Sequence, residues 1–216
     1  MTTILLVRHG ESEANKTGVF AGCRINPPLT EKGLLQAERY AEYAVKNYKI
    51  DRVYSSPLSR AYNTGKACAD RLGLEIIVRD GVREIDGGEW EGYTLDEIAN
   101  LYKDEFEVWM SDIAACQCPE GESVREMGER VLKALTEIAL ENDGKTVLVA
   151  THYTPVRAMQ TYVKTGSFDR MSEFEHIPNT SLTELFYDKG EWKAGKFNIN
   201  SYLEGIVQTP LGFQNK

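Results

Sequence analysis

Short apolar runs alternate along the chain with segments of helical periodicity. Ile4–Val7 and Val147–Ala150 are continuous apolar runs, a pattern typical of strands that are covered on both faces of a sheet. Weaker strand patterns lie at Arg52–Tyr54, Glu75–Val78, Ser181–Tyr187 and Trp192–Asn198. The last two flank the turn Asp188–Gly190 and are predicted to form a hairpin. Strands that alternate with helices predict an α/β fold with a mixed, mostly parallel central sheet and helices on both faces.

Helices are predicted where apolar residues recur every three or four positions. These segments are Thr30–Tyr48, Leu58–Leu72, a helix that begins near Ser123, and Thr154–Lys164. Gly73 follows the second of them and can adopt the left-handed conformation that ends many helices. Thr94-x-x-Glu97 and Ser123-x-x-Glu126 match the capping box, in which side chains bond the first free backbone N–H groups of a helix. Both motifs therefore predict helix starts.

The stretch between Gly88 and Glu122 has fewer strand signals than the rest of the chain and more helical ones. We interpret it as a helical lid, inserted over one edge of the sheet. A length of 216 residues is compatible with one domain and such an insertion. Residues 1–216 are therefore predicted to form a single domain.

The charge balance restricts the partners. The chain carries 25 Lys and Arg against 33 Asp and Glu, for a net charge of −8. This balance argues against nucleic acid and against an anionic membrane surface as partners. If the protein handles anions, it must bind them in a local basic pocket within a repelling exterior.

Cysteine usage and the N-terminus bear on the compartment. Four cysteines are too few for a disulfide framework, and the pair Cys116 and Cys118 lacks the further ligands of a metal site. The N-terminal residues carry no basic leader, and no apolar run reaches the ~18 residues of a membrane span. We expect a reduced, cytoplasmic protein, with a homodimer left open.

Two of the three histidines follow predicted buried strands directly. His9 comes after the first strand, next to Arg8, and His152 lies two residues after Ala150. Sheets of α/β proteins bind ligands beyond the carboxyl ends of their strands, so His9 and His152 are predicted to share a site, with His176 elsewhere. A histidine in this place can also simply cap a strand, but two matched positions beside an arginine favour a site.

Further cations can reach the same place. Neighbouring side chains of a regular strand face opposite sides, so Arg8 and His9 can bind one ligand only where the chain leaves strand geometry. Gly10 makes that departure easy. Arg60 is predicted in the first turn of a helix, where its charge opposes the helix dipole unless an anion lies between them. A surface arginine is the simpler interpretation of Arg60 taken alone.

The motifs together resemble a known family. The run Arg8-His9-Gly10-Glu11-Ser12-x-x-Asn15 resembles the signature of the histidine phosphatase superfamily, the phosphoglycerate mutase-like proteins. Similar motifs follow in the family's order along nearly the whole chain. They are Pro28–Gly33, Ser55-Ser56-Pro57-Leu58-x-Arg60-Ala61-x-x-Thr64, Arg83–Gly92, Pro119–Ser123, Thr151-His152 and Asn179-x-Ser181. The first triplet alone would be a weak indication, whereas the series is highly specific.

The resemblance implies a mixed α/β fold and phosphoryl transfer through a phosphohistidine. His9 would be the nucleophile, and Glu84 would be the general acid that protonates the leaving oxygen. Arg8, Arg60 and a protonated His152 would surround the phosphoryl oxygens and stabilise their charge. This mechanism implies no metal and no other cofactor.

The resemblance also implies substrate-binding positions, and two of them depart from the family pattern. These positions are Asn15, as a donor to the phosphate, and Ser12, Gly22 and Tyr153. Tyr153 stands where the family usually has glycine, so its ring could narrow the pocket or offer a hydroxyl to the substrate. Ser12 stands where threonine is common, which keeps the hydroxyl.

The segment Trp109–Cys116 bears on the reaction. Phosphoglycerate mutases of the family carry charged residues and paired arginines in this region for the sugar-acid carboxylate, whereas here it is apolar and nearly uncharged. The sequence favours a phosphomonoesterase that takes a small phosphorylated substrate and releases inorganic phosphate. It is similar both to α-ribazole phosphatases and to broad-specificity phosphatases. The alternatives are a 2,3-bisphosphoglycerate-dependent mutase and a non-catalytic phosphate-binding module.

Overall fold

A six-stranded sheet forms the centre of the protein, whose computed structural model describes residues 1–206. The strands are β1 (Thr2–Arg8), β2 (Arg52–Ser55), β3 (Ile76–Val78), β4 (Thr146–Thr151), β5 (Leu182–Asp188) and β6 (Glu191–Ala194). Across the sheet they lie in the order β3-β2-β4-β1-β5-β6. The first four of that order pair in parallel, and β5 and β6 add antiparallel pairs. The predicted mixed, mostly parallel sheet is confirmed.

Helices cover both faces of this sheet. They are α1 (Glu13–Thr17), α2 (Glu31–Asn47), α3 (Ser59–Leu72), α4 (Leu95–Leu101), α5 (Lys103–Ser111), α6 (Val124–Glu141) and α7 (Tyr153–Thr165). Ile4 and Leu6 of β1 join a buried cluster with α6 and α7, and Leu5 and Val7 join another with α2 and α3. Because successive side chains of a strand alternate between faces, this explains why the run is apolar at every position. Within residues 1–206, no helix has the length and apolar character needed to cross a membrane.

The predicted helix ends are confirmed where the sequence carries a capping signal. Thr94 and Ser123 are the N-caps of α4 and α6, and both capping boxes are complete, with Glu97 and Glu126 as partners. Gly73 ends α3 in the left-handed conformation, with φ of 64°. These three signals depend only on local hydrogen bonding, which is why the sequence alone reveals them.

One predicted boundary is corrected, and one helix is added to the predicted set. The strand predicted at Trp192–Asn198 ends at Ala194, because the chain after it pairs irregularly with β5 and Asn198 takes a left-handed φ of 52°. Helix α1 was not predicted. It has only five residues, too few to show helical periodicity, and it is defined instead by its caps at Ser12 and Gly18.

The segment from Gly88 to Glu122 is helical, as the sequence predicts, and it contains α4 and α5. Trp109 of α5 contacts Phe20 and Trp90 edge-on, with ring centroids 5.6 Å apart in each pair. No residue of α5 is fully buried, so this helix lies over the rest of the protein as a covering layer.

Candidate active site

The two histidines that follow strands lie side by side. β1 and β4 are parallel neighbours whose register pairs Arg8 with Thr151, so the chain leaves the sheet at the same level at His9 and at His152. The His9 backbone N–H donates to the Thr151 carbonyl at 2.9 Å. The two imidazole centroids are 5.2 Å apart. The structure thus brings together the two histidines that were predicted to share a site.

His9 is held in one tautomer by its neighbour. Its Nδ1 lies 2.7 Å from the Gly10 carbonyl oxygen. Because a carbonyl can only accept, Nδ1 carries the proton and Nε2 keeps a free lone pair. Burial, together with the charges of Arg60 and Arg8, lowers the pKa of His9 well below its ordinary value. The ring is therefore neutral, which is the form that a nucleophile requires.

Close backbone packing fixes the loop that follows His9. A Cβ on Gly10 would lie 2.5 Å from the Gly33 carbonyl oxygen, and a Cβ on Gly33 would overlap the Glu11 carbonyl. The Gly10 N–H also donates to the Thr64 hydroxyl at 3.0 Å. This close backbone contact thus requires glycine at both positions, which belong to separate sequence motifs. The contact fixes where the chain turns after His9.

His152 is fully buried and bonds a serine. Its Nε2 lies 2.8 Å from the Ser56 hydroxyl oxygen. Burial, with Arg60 and Arg8 nearby, lowers the pKa of His152 well below its ordinary value. The sequence predicts a protonated His152, whereas the protein by itself favours the neutral ring. A phosphate dianion beside it would raise this pKa and favour the charged form.

Two buried guanidinium groups border the histidines. Arg8 and Arg60 are 2% and 1% exposed. Arg8 donates to the Ile177 carbonyl, and Arg60 donates to the Gly22 carbonyl at 2.8 Å. Burial lowers the pKa of Arg8 to about 10, which leaves it charged at neutral pH. The predicted convergence of both arginines with His9 is therefore present.

Three buried nitrogen atoms in this place have no hydrogen-bond partner within residues 1–206. They are Arg8 Nε, Arg60 Nη1 and His152 Nδ1. Buried polar atoms in proteins are nearly always hydrogen-bonded. A phosphoryl group offers several acceptor oxygens with the charge that the guanidinium groups need, so this set of atoms fits a bound phosphate.

Burial shifts the Glu84 carboxyl group towards its protonated form. It is 6% exposed, and its carboxylate accepts from the backbone N–H groups of Ile85 at 3.0 Å and Thr154 at 3.4 Å. Burial raises the pKa of Glu84, against the opposing effects of these bonds and of Arg60. A raised pKa keeps the proton on the carboxyl group to higher pH, as a general acid requires.

Arg130 of α6 holds the backbone that carries Glu84. Its guanidinium donates to the carbonyls of Gly81, Arg83 and Glu84 at 3.0, 3.2 and 3.2 Å. It also forms an ion pair with Glu122 at 2.8 Å. Sequence reasoning missed Arg130, because the only signal was Glu122 in a family motif and nothing in the pattern named its partner.

Asn15 is oriented by two neighbours. Its Oδ1 accepts from the Ser12 N–H at 3.1 Å, from the Ser12 hydroxyl at 3.2 Å and from Asn179 Nδ2 at 3.2 Å. Since the oxygen is occupied, the donor Nδ2 is left for other partners. Asn179 also donates to the His9 carbonyl at 3.0 Å. The motif that contains Asn179 was recognised, but its role was missed.

Tyr153 forms one wall beside the arginines. The Arg8 guanidinium lies 5.1 Å from the ring centroid, and Arg157 donates to the phenol oxygen at 3.3 Å. His176 lies beside Tyr153, with ring centroids 5.6 Å apart, but it is not among the residues that line the pocket. The hydrogen bond that Arg8 donates to the Ile177 carbonyl holds the segment before β5 close to this wall.

A pocket of about 300 Å³ opens over these groups. Its inner end is lined by Arg8, His9, Ser12, Asn15, Arg60, Glu84 and Asn179. Its outer walls combine apolar Val19, Phe20, Leu95, Trp109, Met110 and Ile113 with polar Tyr153, Arg157 and Ser172. Gly22 and His152 are not among the lining residues. Gly22 meets the site through its carbonyl on Arg60, and His152 lies next to His9, with ring centroids 5.2 Å apart.

One group of possible metal ligands lies beside this pocket in the described part of the chain. Cys23, Asp86 and Glu91 have ligand atoms within 4.8 Å of one another. However, both Glu91 oxygens accept backbone N–H groups, and Asp86 forms an ion pair with Arg24 at 2.6 Å. These atoms are already committed, so we assign the group a structural role.

A profile of the histidine phosphatase superfamily (branch 1) matches residues 4–200. The chain belongs to this superfamily. Phosphoserine phosphatase 1 of Hydrogenobacter thermophilus is 36% identical over 203 residues, which cover 94% of this chain and 95% of that protein. The 2,3-bisphosphoglycerate-dependent phosphoglycerate mutase of Parvibaculum lavamentivorans is 36% identical over 197 residues, covering 87% of this chain and 91% of that protein. The solved structure of YhfR from Bacillus stearothermophilus has a TM-score of 0.89 at 27% identity, covering 94% of this chain and 100% of its own.

The resemblance drawn from the motifs is thus confirmed. This histidine phosphatase has relatives that are named phosphatases, and they support a phosphatase activity. The two relatives at 36% identity carry different activities in their names, so identity alone does not separate a phosphatase from a mutase.

Proposed function

We propose that this histidine phosphatase hydrolyses monoesters of phosphate with small metabolites, through a phosphohistidine on His9 and without a metal. One observation carries the proposal. The bond between His9 Nδ1 and the Gly10 carbonyl leaves Nε2 unprotonated, in a pocket bordered by two buried guanidinium groups. A neutral imidazole beside an anion-binding cradle is suited to attack phosphorus.

The reaction has two steps. In the first, His9 Nε2 bonds to phosphorus, the bond from phosphorus to the leaving oxygen breaks, and Glu84 gives its proton to that oxygen. In the second, the Glu84 carboxylate takes a proton from water as the water oxygen bonds to phosphorus. The phosphorus–nitrogen bond then breaks, and inorganic phosphate leaves. Glu84 ends protonated, ready for the next cycle.

Arginine and histidine charges replace a metal in this scheme. The unpartnered nitrogen atoms of Arg8, Arg60 and His152 would bond the phosphoryl oxygens, which carry the charge of the transition state. Protonation of His152 accompanies substrate binding, because the dianion offsets the burial that otherwise keeps this ring neutral.

The outer pocket favours hydrolysis over mutase chemistry. Within the lining, Arg157 is the one cation outside the inner end, and it donates to the carbonyls of Met171 and Phe174 at 2.9 and 3.2 Å. A sugar-acid carboxylate would thus find few partners. The mutase remains the second candidate, supported by the Parvibaculum relative.

We also propose a cytoplasmic location, since all four cysteines are free thiols.

A substrate panel with trapping of the phosphoenzyme tests the proposal. Purified protein should hydrolyse p-nitrophenyl phosphate and several phosphorylated metabolites, phosphoserine and α-ribazole phosphate among them. Excess EDTA should leave the rates unchanged, and vanadate should inhibit as a mimic of the in-line transition state. Rapid quenching should trap an acid-labile, base-stable label. If EDTA abolishes activity and a divalent ion restores it, the metal-free mechanism is overturned. If the protein interconverts phosphoglycerates faster than it hydrolyses esters, the assignment as a phosphatase is overturned.

A further inference from the structure

Arg60 is held by a loop that lacks regular secondary structure. Residues 20–28 form neither helix nor strand. Arg60 Nη2 donates to the carbonyls of Ala21 and Gly22 at 3.2 and 2.8 Å. The other terminal nitrogen of the same guanidinium, Nη1, is one of the unpartnered buried atoms of the pocket. Where this loop lies therefore decides where Arg60 presents its free N–H groups.

The carboxylate of Glu91 holds this loop in place. Its Oε1 accepts from the Cys23 N–H at 2.9 Å, and its Oε2 accepts from the N–H groups of Arg24 and Ile25, both at 2.8 Å. Consecutive backbone N–H groups that point at one anion form a nest. Hydrogen bonds to a charged acceptor are also stronger than neutral ones. The loop is therefore folded around the Glu91 carboxylate.

The same carboxylate reaches the segment that carries the general acid. Oε1 of Glu91 also accepts from the Gly87 N–H at 3.0 Å, and Gly87 lies three residues after Glu84. One side chain thus ties the loop behind Arg60 to the segment behind Glu84. A displacement of either segment would break bonds to the other.

Packing at Gly22 shows how little freedom this arrangement has. A Cβ at Gly22 would overlap Glu91 Oε1 and lie 2.5 Å from the Ile85 carbonyl oxygen and 2.7 Å from Gly87 N. The glycine therefore fills a gap between the carboxylate and the backbone of the facing segment. This contact gives Gly22 a packing role, beside the substrate-binding role that the family resemblance implies.

We propose that Glu91 is a positioning residue that sets the placement of Arg60 for phosphoryl binding. Glu91 does not line the pocket, so it acts through the carbonyls of Ala21 and Gly22 rather than on the substrate. The negative charges of Glu84 and Glu91 also help to keep Arg60 protonated, because they oppose the lowering of the Arg60 pKa by burial. The activity readout of this inference rests on the proposed function, whereas its phosphate-binding readout does not.

Glu91→Gln tests the proposal with little change of shape. Glutamine replaces one oxygen by an NH2 group, which cannot accept from the N–H groups that this oxygen binds. Displacing a catalytic group by about 1 Å costs on the order of 10²-fold. We expect kcat/KM for p-nitrophenyl phosphate to fall by about that factor and vanadate to inhibit more weakly.

The matched control is Glu126→Gln. Glu126 also accepts a backbone N–H, that of Ser123 at 2.8 Å, but it caps α6 and does not line the pocket. The Glu126→Gln variant should have a lower melting temperature than wild type and an unchanged kcat/KM. Glu91→Asp, which keeps the charge on a shorter side chain, gives a second and milder variant if Glu91→Gln does not fold.

A double-mutant cycle with Arg60→Ala separates positioning from general damage. If Glu91 acts through Arg60, Glu91→Gln should cost less than about threefold once Arg60 is already alanine. Calorimetric affinity for inorganic phosphate should show the same non-additivity, and this measurement needs no turnover. Additive losses in both readouts, or an unchanged phosphate affinity in Glu91→Gln, would overturn the inference. Failure of the wild-type protein to hydrolyse any ester would overturn the proposed function alone.

Discussion

The two ends of the pocket are built by different means. At the inner end, the sheet fixes His9 and His152 by the register of two central strands, and the surrounding side chains are almost fully buried. At the outer end, α5 supplies Trp109 and Met110 from a helix that has no fully buried residue. The groups to which we assign the chemistry are thus attached to the buried sheet, and the surface proposed to meet the leaving group is attached to a covering layer.

This difference also appears in the electrostatics. Burial lowers the pKa values of Arg8, His9 and His152 and raises that of Glu84, so each group is shifted towards its neutral form. The inner end therefore keeps ionisable groups at a cost in folding free energy. The outer end carries no comparable cost, since apolar side chains dominate its walls. Substitutions at the inner end should change the rate, and those at the outer end should change the choice of substrate.

The largest effect is expected from His9→Ala. Loss of the nucleophile should lower kcat by about 10⁵-fold or more, as removal of other enzymes' nucleophiles does. Phosphate binding should persist, because Arg8, Arg60 and His152 remain. Quenched-flow labelling should find no phosphoenzyme. An acid-labile label that survives in His9→Ala would place the covalent step on another residue and break the assignment of the inner end.

Glu84→Gln should have the next largest effect, and one that depends on the leaving group. For alkyl esters the loss should be on the order of 10²–10⁴-fold, the usual contribution of a positioned acid. For p-nitrophenyl phosphate the first step should lose much less, because nitrophenolate leaves without a proton. Labelled phosphoenzyme should then accumulate, since Glu84 also activates the water. Equal losses for both esters in single-turnover phosphorylation would remove Glu84 as the acid.

The inner end is also the part of the molecule that the sequence predicted best. His9, His152 and Arg60 follow buried strands, and parallel strands bring their carboxyl ends to one edge whatever the details of packing. Contacts between residues that are far apart along the chain leave no such pattern in the sequence. Glu91 and Arg130 bond backbone groups of other segments, so their positions depend on how loops pack.

Trp109→Ala tests the outer end and should act on selectivity. A hydrophobic contact of this size is worth about 10-fold or more between substrates. We expect kcat/KM for esters with bulky apolar leaving groups to fall by about that factor, and inhibition by inorganic phosphate to change less than twofold. Trp192→Ala is the matched control, because Trp192 lies on β6 away from the pocket. An unchanged substrate ranking in Trp109→Ala would show that the lid does not recognise the leaving group.

The smallest effect concerns stability, and its sign follows from burial. The raised pKa of Glu84 means that the folded state disfavours the carboxylate, so wild-type stability is lost as pH rises through 4.5 towards the folded-state pKa. Glu84→Gln carries no charge and can still accept from the Ile85 N–H. It should therefore melt higher than wild type at pH 7.5, by roughly 2–4 °C for each 1 kcal/mol gained. Near pH 4 the difference should vanish, and comparison at equal pH cancels the separate destabilisation of both proteins by histidine protonation. If Glu84→Gln melts lower than wild type at pH 7.5, the ionised Glu84 carboxylate does not lower the free energy of unfolding, and the prediction is wrong.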